Sequence, residues 1–470
     1  MKIVVCVRQL TNGELNPFDA CAYEAALSVP GAETVLLSMG APQTADCLRG
    51  LSRLGARRAV LLSDGAFAGA DTLATAYTLS LAVKKLAPTL VFCGRQALEG
   101  DTAQTGAMLA EMLGAEMPAS VVRWEIRGET LAAADHDGTE TLFPLTEAPG
   151  RPAVLAFERV QTLRLPRLGS RPCEVETWDA AMLGADRARC GLRGSATRVT
   201  ASRENTAGRR HCRFISPGEL LGVIAAARAQ ALPAPPAAAP GAERLPLVMA
   251  VGHAARAQAE ALGARAENIP LTADSTPQTL ADAITAAAPD AVLWGDRGKT
   301  LAARTAARLG LGLCADCTGF NVREGVLHLI RPARCGSIMA DIICLTRPAM
   351  ATVRTAEDLQ EDLVIAIGWG ARAVIPEIRA WAAALNGTLA ASRKMVDNDL
   401  LPHSLQVGLT GRTVRPPVYL AVGISGAVHH LAGMRGAGTV IAVNPDREAP
   451  VFEYADYGVL APIEEVLAGK

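Results

Sequence analysis

The chain has 470 residues, of which 50% are apolar and 20% are charged, so it is long enough for about three domains with separate cores. Its net charge of −1 at pH 7 excludes a general attraction to nucleic acid or to an anionic membrane surface. Aromatic residues make up only 4% of the chain, so small aliphatic side chains supply the hydrophobicity, which favours an α/β protein over an all-β sandwich.

Short apolar runs alternate with helical periodicity through the first part of the chain. The runs at 3–7, 34–39, 59–62 and 90–93 predict buried strands, and the stretches between them predict helices. This order is typical of βαβ units with a parallel sheet. Loops at the carboxyl ends of such strands share one edge of the sheet, where ligands bind.

The later part of the chain predicts two further α/β units. Residues 161–215 lack periodicity and predict an extended arm, and the Pro/Ala-rich stretch at 229–244 predicts a semi-rigid linker. Strand and helix patterns then restart. The predicted fold class is therefore α/β with three Rossmann-like parallel-sheet units. The predicted boundaries are 1–228 for the first domain, 229–244 for the linker, 245–355 for the second domain and 356–470 for the third.

Three glycine-containing turns in the third predicted domain are candidates for ligand binding. Gly423-Ile-Ser-Gly426 exposes backbone N–H groups and a hydroxyl at a helix start, which suits an anion such as a phosphate. Gln406–Gly411 repeats this Gly/Thr chemistry. Gly368-Trp-Gly370 fits a dinucleotide pattern, although Trp369 crowds the place of a phosphate. Together these loops predict one extended, phosphate-bearing ligand.

A similar loop lies near the N-terminus. The turn Gly100-Asp-Thr follows the predicted strand at 90–93 and exposes N–H and hydroxyl groups at a helix start. Asn16-Pro-Phe-Asp19 is placed to cap the first helix beside it. These residues either form a nucleotide site or cap two helices, and spacing alone does not decide between the two. No metal site is expected, because Cys314-Ala-Asp-Cys317 has no second cysteine pair at metal-binding spacing.

These segments resemble an electron transfer flavoprotein (ETF) whose β and α subunits are fused in one chain, with β first. The resemblance covers nearly the whole sequence and implies an ETF β-like domain, a reduced ETF α N-terminal domain and a C-terminal FAD-binding domain. It rests on Asn16–Asp19, Leu37–Gln43, Gly94–Gly106, Ala391–Arg393, Gln406–Gly411, Val422–Ala427, Ala442–Asn444 and Glu448–Gly458.

The resemblance implies that FAD binds to the third domain. Arg393, Thr410 and His430 are expected to act on the flavin ring, where a cation at Arg393 and a donor at His430 would stabilise negative charge. The pyrophosphate is expected near Ser425. The full set of expected FAD-binding residues is Ser392, Arg393, Gln406, Val407, Gly408, Leu409, Thr410, Gly423, Ser425, Gly426, Ala427, Val428, His429, His430, Asn444, Asp456 and Tyr457.

The resemblance also implies a second nucleotide in the first domain. AMP is the expected ligand, as in housekeeping members of the family, and a second FAD is the alternative, as in electron-bifurcating members. The segment 100–104 is more similar to the bifurcating branch. The expected binding residues are Cys6, Asn16, Pro17, Phe18, Asp19, Met39, Gly94, Gln96, Gly100, Asp101, Thr102, Ala103, Gln104 and Thr105.

The function implied by the resemblance is that of a soluble, cytoplasmic electron carrier in fatty acid oxidation. It would pass electrons from flavoprotein dehydrogenases of the acyl-CoA dehydrogenase type to ETF-quinone oxidoreductase or another acceptor, with no substrate turnover of its own unless it bifurcates electrons. Leu165 resembles the exposed tip that contacts partner dehydrogenases. Neither nucleic-acid binding nor membrane insertion is expected, and one fused chain can act as a monomeric pseudo-heterodimer.

Three residues depart from the family pattern. Trp369 stands where the family has an arginine, and Leu409 and His429 stand where it has glutamines; Arg372 is the candidate that supplies the lost charge. Two functions of other classes remain open from the residues themselves. One is an NADP-dependent dehydrogenase that uses Gly368-Trp-Gly370 with Arg393, and the other is an adenine-nucleotide sensor built on the first domain.

Overall fold

Three parallel β-sheets form the framework of the described part of the chain. The computed structural model describes all residues except 119, 136–137, 146–150, 160–162, 207, 231–242, 296–297, 335, 355–361 and 469–470. Most of the predicted linker and the predicted boundary at 355–356 lie outside the described residues.

The strands follow the chain in this order: β1 Lys2–Cys6, β2 Glu33–Met39, β3 Arg58–Leu62, β4 Leu90–Gly94, β5 Arg123–Arg127, β6 Thr130–Ala134, β7 Glu140–Pro144, β8 Ala153–Phe157, β9 Val175–Trp178, β10 Thr197–Glu204, β11 Arg213–Ile215, β12 Leu245–Val251, β13 Gly263–Ile269, β14 Ala291–Trp294, β15 Leu313–Cys317, β16 Gly319–Arg323, β17 Val326–Ala333, β18 Ile338–Cys344, β19 Ala349–Val353, β20 Leu363–Ile367, β21 Thr388–Ala391, β22 Val418–Val422, β23 Thr439–Val443 and β24 Tyr457–Val459. The α-helices are α1 Pro17–Leu27, α2 Thr44–Ser52, α3 Thr72–Leu86, α4 Thr105–Leu113, α5 Gly191–Gly194, α6 Leu220–Arg228, α7 Arg256–Leu262, α8 Pro277–Ala287, α9 Lys299–Leu309, α10 Ile375–Ala384, α11 Arg393–Asp397, α12 Val428–Met434 and α13 Ile463–Ala468.

The first sheet has the strand order β8-β4-β1-β2-β3-β9, and every neighbouring pair is parallel. Its central strands are β-branched and buried on both faces, as Ile3, Val4 and Val5 show. Helices cover both faces, which leaves the loops at the carboxyl ends of β1, β2 and β4 free for a ligand. The four strands predicted from the apolar runs are thus confirmed.

The second sheet is also parallel, in the order β13-β12-β14-β19-β15. It shares one hydrophobic core with the first sheet, in which Met108 of α4 and Trp294 of β14 are fully buried. Arg304 of α9 joins the two parts, because its guanidinium donates to the Glu111 carboxylate at 2.9 Å and to the Ala115 carbonyl at 3.2 Å. Most of the first two predicted domains therefore belongs to one compact unit.

The third sheet has the order β11-β24-β23-β22-β20-β21 and is parallel throughout. Its edge strand β11 comes from far upstream in the sequence. Arg228 of α6 likewise belongs here, because it donates to both oxygens of Asp362 at 2.9 and 2.5 Å. The three parallel sheets confirm the predicted α/β fold class.

The chain divides into two compact units. One comprises Met1–Ser202, Pro240–Arg334 and Ala340–Arg354, and the other comprises Arg203–Ala239, Cys335–Met339 and Thr355–Lys470. This grouping differs from the predicted first domain of 1–228, because β11 and α6 pack with the C-terminal sheet. Two smaller sheets, β5-β6-β7 and β10-β18-β17-β16, complete the description.

The prediction of an extended arm at 161–215 is wrong for part of that segment. Residues Val175–Trp178 form β9, the edge strand that pairs with β3. Trp178 is buried and lies under the Lys85 ammonium, 4.6 Å from the ring centroid. No helix within the described residues has the length and apolarity to cross a membrane.

Asp71 connects two elements of the first unit, which yields a stability prediction. Its Oδ1 accepts from the Ala74 N–H at 3.0 Å and caps α3, while its Oδ2 accepts from the N–H groups of Ala196 and Thr197 at 2.8 and 3.0 Å. We expect Asp71→Ala to lower the free energy of unfolding by about 2–4 kcal/mol, because a cap and several carboxylate hydrogen bonds are lost together. Denaturant unfolding measures this, with Asp274→Ala at an exposed position as the control. Equal stability of the two variants would contradict the prediction.

Candidate functional site

The loops that follow four strands of the third sheet meet at its carboxyl edge. Gly368 follows β20, Ser392 follows β21, Gly423 follows β22 and Asn444 follows β23. Because these strands are parallel neighbours, the predicted residues around 392, 423 and 444 come to the same edge.

The loop after β22 has the backbone of an anion cradle. Gly423 and Gly426 have φ values of +63° and +91°, which favour glycine. A Cβ on Gly423 would lie 2.6 Å from the Ala371 nitrogen, so the close approach of these backbones requires the absence of a side chain. Within the described residues, the N–H groups of Ser425, Gly426 and Ala427 have no hydrogen-bond partner. Three neighbouring free donors fit a phosphate.

Asn444 supports this loop from the next strand. Its Nδ2 donates to the Ile424 carbonyl at 2.9 Å, and its Oδ1 accepts from the Asp446 N–H at 2.9 Å. Both ends of the amide are therefore bonded within the chain, and the side chain holds the shape of the Gly423–Ala427 loop.

A second loop, residues 406–412, lies against α12. The Leu409 N–H donates to the His429 carbonyl at 2.7 Å, and the buried Gln406 Nε2 donates to the Thr410 hydroxyl at 2.8 Å. Gly433 of α12 makes this packing possible, since a Cβ there would overlap the backbone nitrogen of Gly408. The predicted residues of the 406–412 loop are thus brought together with His429 at the start of α12.

His430 is a buried, neutral histidine. It is 5% exposed, and its Nε2 lies 2.9 Å from the hydroxyl oxygen of Tyr419, which is fully buried. Burial lowers the pKa of His430 to about 4, and the Val407 backbone raises it only in part. The ring therefore carries no charge at neutral pH, and any fixed positive charge at this edge comes from other residues.

Cationic side chains surround the start of α11. The Arg393 Nε donates to Asp397 at 3.0 Å, and burial together with Arg393 lowers the pKa of His429. The Trp369 ring lies close to two further cations, with the Arg372 guanidinium 4.8 Å and the Lys394 ammonium 4.5 Å from its centroid. The sequence-based prediction included Arg372 as a source of positive charge but not Lys394. The position of Lys394 directly after Arg393 was the available signal.

The structure does not bring Asp456 and Tyr457 to this edge. Asp456 precedes β24, at the opposite, amino-terminal edge of the sheet. Its Oδ2 accepts from the Val440 N–H at 2.8 Å and forms an ion pair with Arg210. The Asp456 carboxylate here ties strands together, and FAD contacts at Asp456 and Tyr457 stay a prediction.

The first sheet presents a second candidate site at its own carboxyl edge. Cys6, Met39 and Gly94 end β1, β2 and β4 side by side. Asp19 lies below them, and its carboxylate accepts from the N–H groups of Arg8 at 2.8 Å and Gly94 at 3.1 Å. Burial raises the pKa of Asp19 to about 7, although these hydrogen bonds oppose the shift.

Several buried polar atoms around this edge lack a partner within the described residues. They are Asn16 Oδ1, Ser38 Oγ, Gln96 Nε2 and Gln104 Nε2. Buried polar groups are nearly always hydrogen-bonded, so their clustering fits a polar ligand. The sequence-based prediction did not include Ser38, although a serine between the apolar Val35–Leu37 run and Met39 was the available signal.

The loop before α4 completes the second site. Asp101 and Ala103 adopt left-handed φ values of +51° and +53°, which are unusual for residues with a side chain. Within the described part of the chain, the N–H groups of Thr102, Ala103 and Gln104 are not used in hydrogen bonds. Such a series of free N–H groups beside a helix start is typical of a concave anion site.

Leu165 lies on an exposed segment of the first unit. The side chain is 87% exposed, and the preceding Arg164 is tied to Glu24 by hydrogen bonds of 2.5 Å from its N–H and 2.8 Å from its Nε. An apolar tip on an anchored base is available to a partner.

The parallel sheets, with free N–H groups in loops at their carboxyl edges, are typical of a nucleotide-binding α/β protein. The model of the electron transfer flavoprotein domain matches residues 3–183 and 237–358, and the model of the electron transfer flavoprotein FAD-binding domain matches residues 359–435. The chain belongs to the electron transfer flavoprotein family.

Three similar proteins are named as single subunits. Residues of this chain are 36% identical over 250 residues to the electron transfer flavoprotein subunit alpha of Thermoanaerobacterium thermosaccharolyticum, which covers 42% of this chain and 76% of the relative. They are 37% identical over 233 residues to the electron transfer flavoprotein subunit beta of Clostridium acetobutylicum, and this match covers 43% of this chain and 87% of the relative. Acryloyl-CoA reductase electron transfer subunit beta of Anaerotignum propionicum is 31% identical over 272 residues, which covers 42% and 74%. One chain here thus combines sequences similar to two subunits.

The contact between Gly433 and the 406–412 loop can be tested by substitution. We expect Gly433→Ala to displace this loop, because overpacking costs about 1–3 kcal/mol. FAD retention should therefore fall roughly ten-fold, as measured by visible absorbance after dialysis. Gly222→Ala is the control, since a Cβ on that helical glycine meets open space. Full FAD retention by Gly433→Ala would contradict the prediction.

Burial of neutral His430 predicts a dependence of stability on pH. Its pKa in the folded state, about 4, lies below the ordinary value of 6.5. As the pH falls, this histidine is therefore protonated in the unfolded state before it is protonated in the folded state. The stability from this site should be complete above pH 6.5 and should fall by up to about 3 kcal/mol as the pH drops to about 4. In urea unfolding, His430→Gln should lose less stability over this range than the wild-type chain. His211→Gln, at an exposed position, should behave as wild type. Identical pH profiles of wild type and His430→Gln would contradict the prediction.

Proposed function

We propose that this chain is an FAD-containing electron carrier. It accepts electrons from flavoprotein dehydrogenases of the acyl-CoA dehydrogenase type and passes them to ETF-quinone oxidoreductase or another acceptor. The observation that carries the proposal is the match of residues 359–435 to the family's FAD-binding domain. The free N–H groups of Ser425–Ala427, at the carboxyl edge of the third sheet, lie within this matched segment. A relative whose name includes acryloyl-CoA reductase supports acyl-CoA chemistry.

The residues at the carboxyl edge of the third sheet fit FAD. The Gly423–Ala427 loop would hold the pyrophosphate, and the segments 392–393, 406–410 and 428–430 would border the flavin ring. The His429 Nε2 is buried without a partner among the described residues, as expected for a side chain beside a polar ligand. When bound, FAD supplies the electron-accepting chemistry.

Three side chains would act on the flavin ring. Arg393 provides positive charge, which raises the affinity of a nearby ring for electrons. His430 is a neutral hydrogen-bonding group fixed by Tyr419, and Thr410 presents a hydroxyl fixed by Gln406. The protein needs no substrate pocket of its own for this task.

The first unit is proposed to bind AMP as a second nucleotide. The orphaned polar atoms and the free N–H groups of residues 102–104 support a phosphate-bearing ligand. A second FAD is the other candidate, because Gly100-Asp-Thr-Ala-Gln104 is more similar to the electron-bifurcating branch. In that case the protein would also catalyse turnover.

Partner binding is proposed at Leu165, whose exposed side chain would enter an apolar pocket of a dehydrogenase. One chain carries both the β-like and the α-like sequences, so a monomer is proposed as the working unit. A cytoplasmic location stays a prediction.

Flavin content tests the proposal directly. The purified full chain should be yellow, and an acyl-CoA with its dehydrogenase should bleach it. Chromatography of the denatured protein should release one FAD and one AMP per chain. Leu165→Ala should slow reduction by the dehydrogenase without changing reduction by dithionite, whereas Leu142→Ala, at another exposed position, should change neither.

Other outcomes of this experiment identify the alternatives. Two FAD molecules per chain would show that the second nucleotide is FAD and not AMP, and would support the electron-bifurcating function. A colourless protein that binds NADP, or only ATP, would refute the carrier and support a dehydrogenase or a nucleotide sensor.

A further inference from the structure

Arg331 reaches the N-terminal nucleotide loop from the part of the first unit that follows the predicted linker. It lies on β17 and is only 4% exposed. Its Nη1 donates to the Gly100 carbonyl at 3.0 Å, and its Nη2 donates to the Asp101 carbonyl at 2.9 Å. One buried guanidinium therefore binds two consecutive carbonyls of the loop that precedes α4.

These hydrogen bonds control which way the loop's donors point. In a trans peptide the C=O and the following N–H point in opposite directions. Binding of the Asp101 carbonyl to Arg331 thus directs the Thr102 N–H away from the guanidinium. The left-handed φ values of Asp101 and Ala103 cost energy for residues with a Cβ, so the arginine also stabilises a backbone that is unfavourable by itself.

A carboxylate balances the buried charge of Arg331. Although burial raises the pKa of the Asp316 carboxyl, Lys299, Arg354 and Arg331 lower it, to about 2. The Lys299 ammonium lies 2.6 Å from Asp316 Oδ1, and the Asp316 backbone N–H is bound by the Thr352 hydroxyl at 2.8 Å. The carboxylate is thus ionised and fixed, which permits a guanidinium to stay in the interior.

We propose that Arg331 is a positioning residue for the nucleotide of the first unit. By holding the carbonyls of Gly100 and Asp101, it sets the free N–H groups of residues 102–104 in the arrangement that binds the phosphate. This inference rests on the proposed nucleotide site, and it assigns to the α-like part of the chain a role in the site of the β-like part.

The test compares two arginines that connect the same parts of the chain. Arg331→Met removes the contact with the loop, and Arg331→Lys keeps the positive charge but loses the forked geometry of the guanidinium. The control is Arg304→Met, which removes an arginine that contacts Glu111 and the Ala115 carbonyl instead of the loop. AMP affinity is measured by calorimetry on the full chain freed of AMP but still holding FAD. Visible absorbance reports the FAD site of the third sheet in the same samples, and thermal unfolding reports stability.

We expect Arg331→Met to weaken AMP binding roughly ten-fold to hundred-fold, as for loss of charged hydrogen bonds. Arg331→Lys should lose less AMP affinity than Arg331→Met. Arg304→Met should keep AMP affinity within about two-fold of the wild type, even if its stability falls. The visible spectrum should not change in any variant. If the wild-type chain holds a second FAD instead, the number of FAD molecules released per denatured chain replaces AMP affinity, and Arg331→Met should then lose one of two FAD with a matching fall in visible absorbance.

The outcomes separate the inference from the proposal beneath it. Wild-type affinity in a folded Arg331→Met chain would refute the role of Arg331 alone. Equal losses in Arg331→Met and Arg304→Met would also refute it, because the effect would then follow stability. A wild-type chain that binds neither AMP nor a second FAD would refute the nucleotide site itself.

Discussion

The parallel direction of the strands is the constraint on which both candidate sites depend. In a parallel sheet every strand ends at the same edge, so the loops after neighbouring strands meet there. Segments that are far apart in the sequence, such as those after Ser392 and Gly423, thereby become neighbours. Where one backbone must then pass close to another, the chain has glycine, as at Gly423 and Gly433, where a Cβ would meet backbone atoms. The sites thus follow from topology and from a few positions without side chains.

Local features of this arrangement could be predicted from the sequence, and long-range features could not. The apolar runs predicted the central strands, because strands buried on both faces need continuous β-branched residues. By contrast, β9 is a four-residue edge strand with Glu176 and Thr177 in its middle, and its structure comes from pairing with β3. Likewise β11 pairs with β24, although a large part of the sequence separates them. Neither segment carries a local signal for its partner.

Among the site residues, the same distinction explains Asp456 and Arg331. The segment around Asp456 resembles the family, but resemblance does not say at which end of a strand a carboxylate is used. Here it binds Val440 and Arg210 at the amino-terminal edge. Arg331 had no motif around it, because its partners are backbone carbonyls, which any residue carries. A contact of this kind is visible only when the two segments are placed together in three dimensions.

Charge at the two sites is local rather than global. The net charge of −1 says nothing about Arg372 and Lys394, whose cationic groups lie beside the Trp369 ring. In the first unit, the hydrogen bonds of buried Arg331 to the Gly100 and Asp101 carbonyls couple the loop before α4 to sequence that follows the predicted linker. In a carrier made of two chains, such a contact would depend on the association of the subunits. Because both parts belong to one chain, the loop meets its arginine at a fixed effective concentration, and its conformation becomes independent of protein concentration.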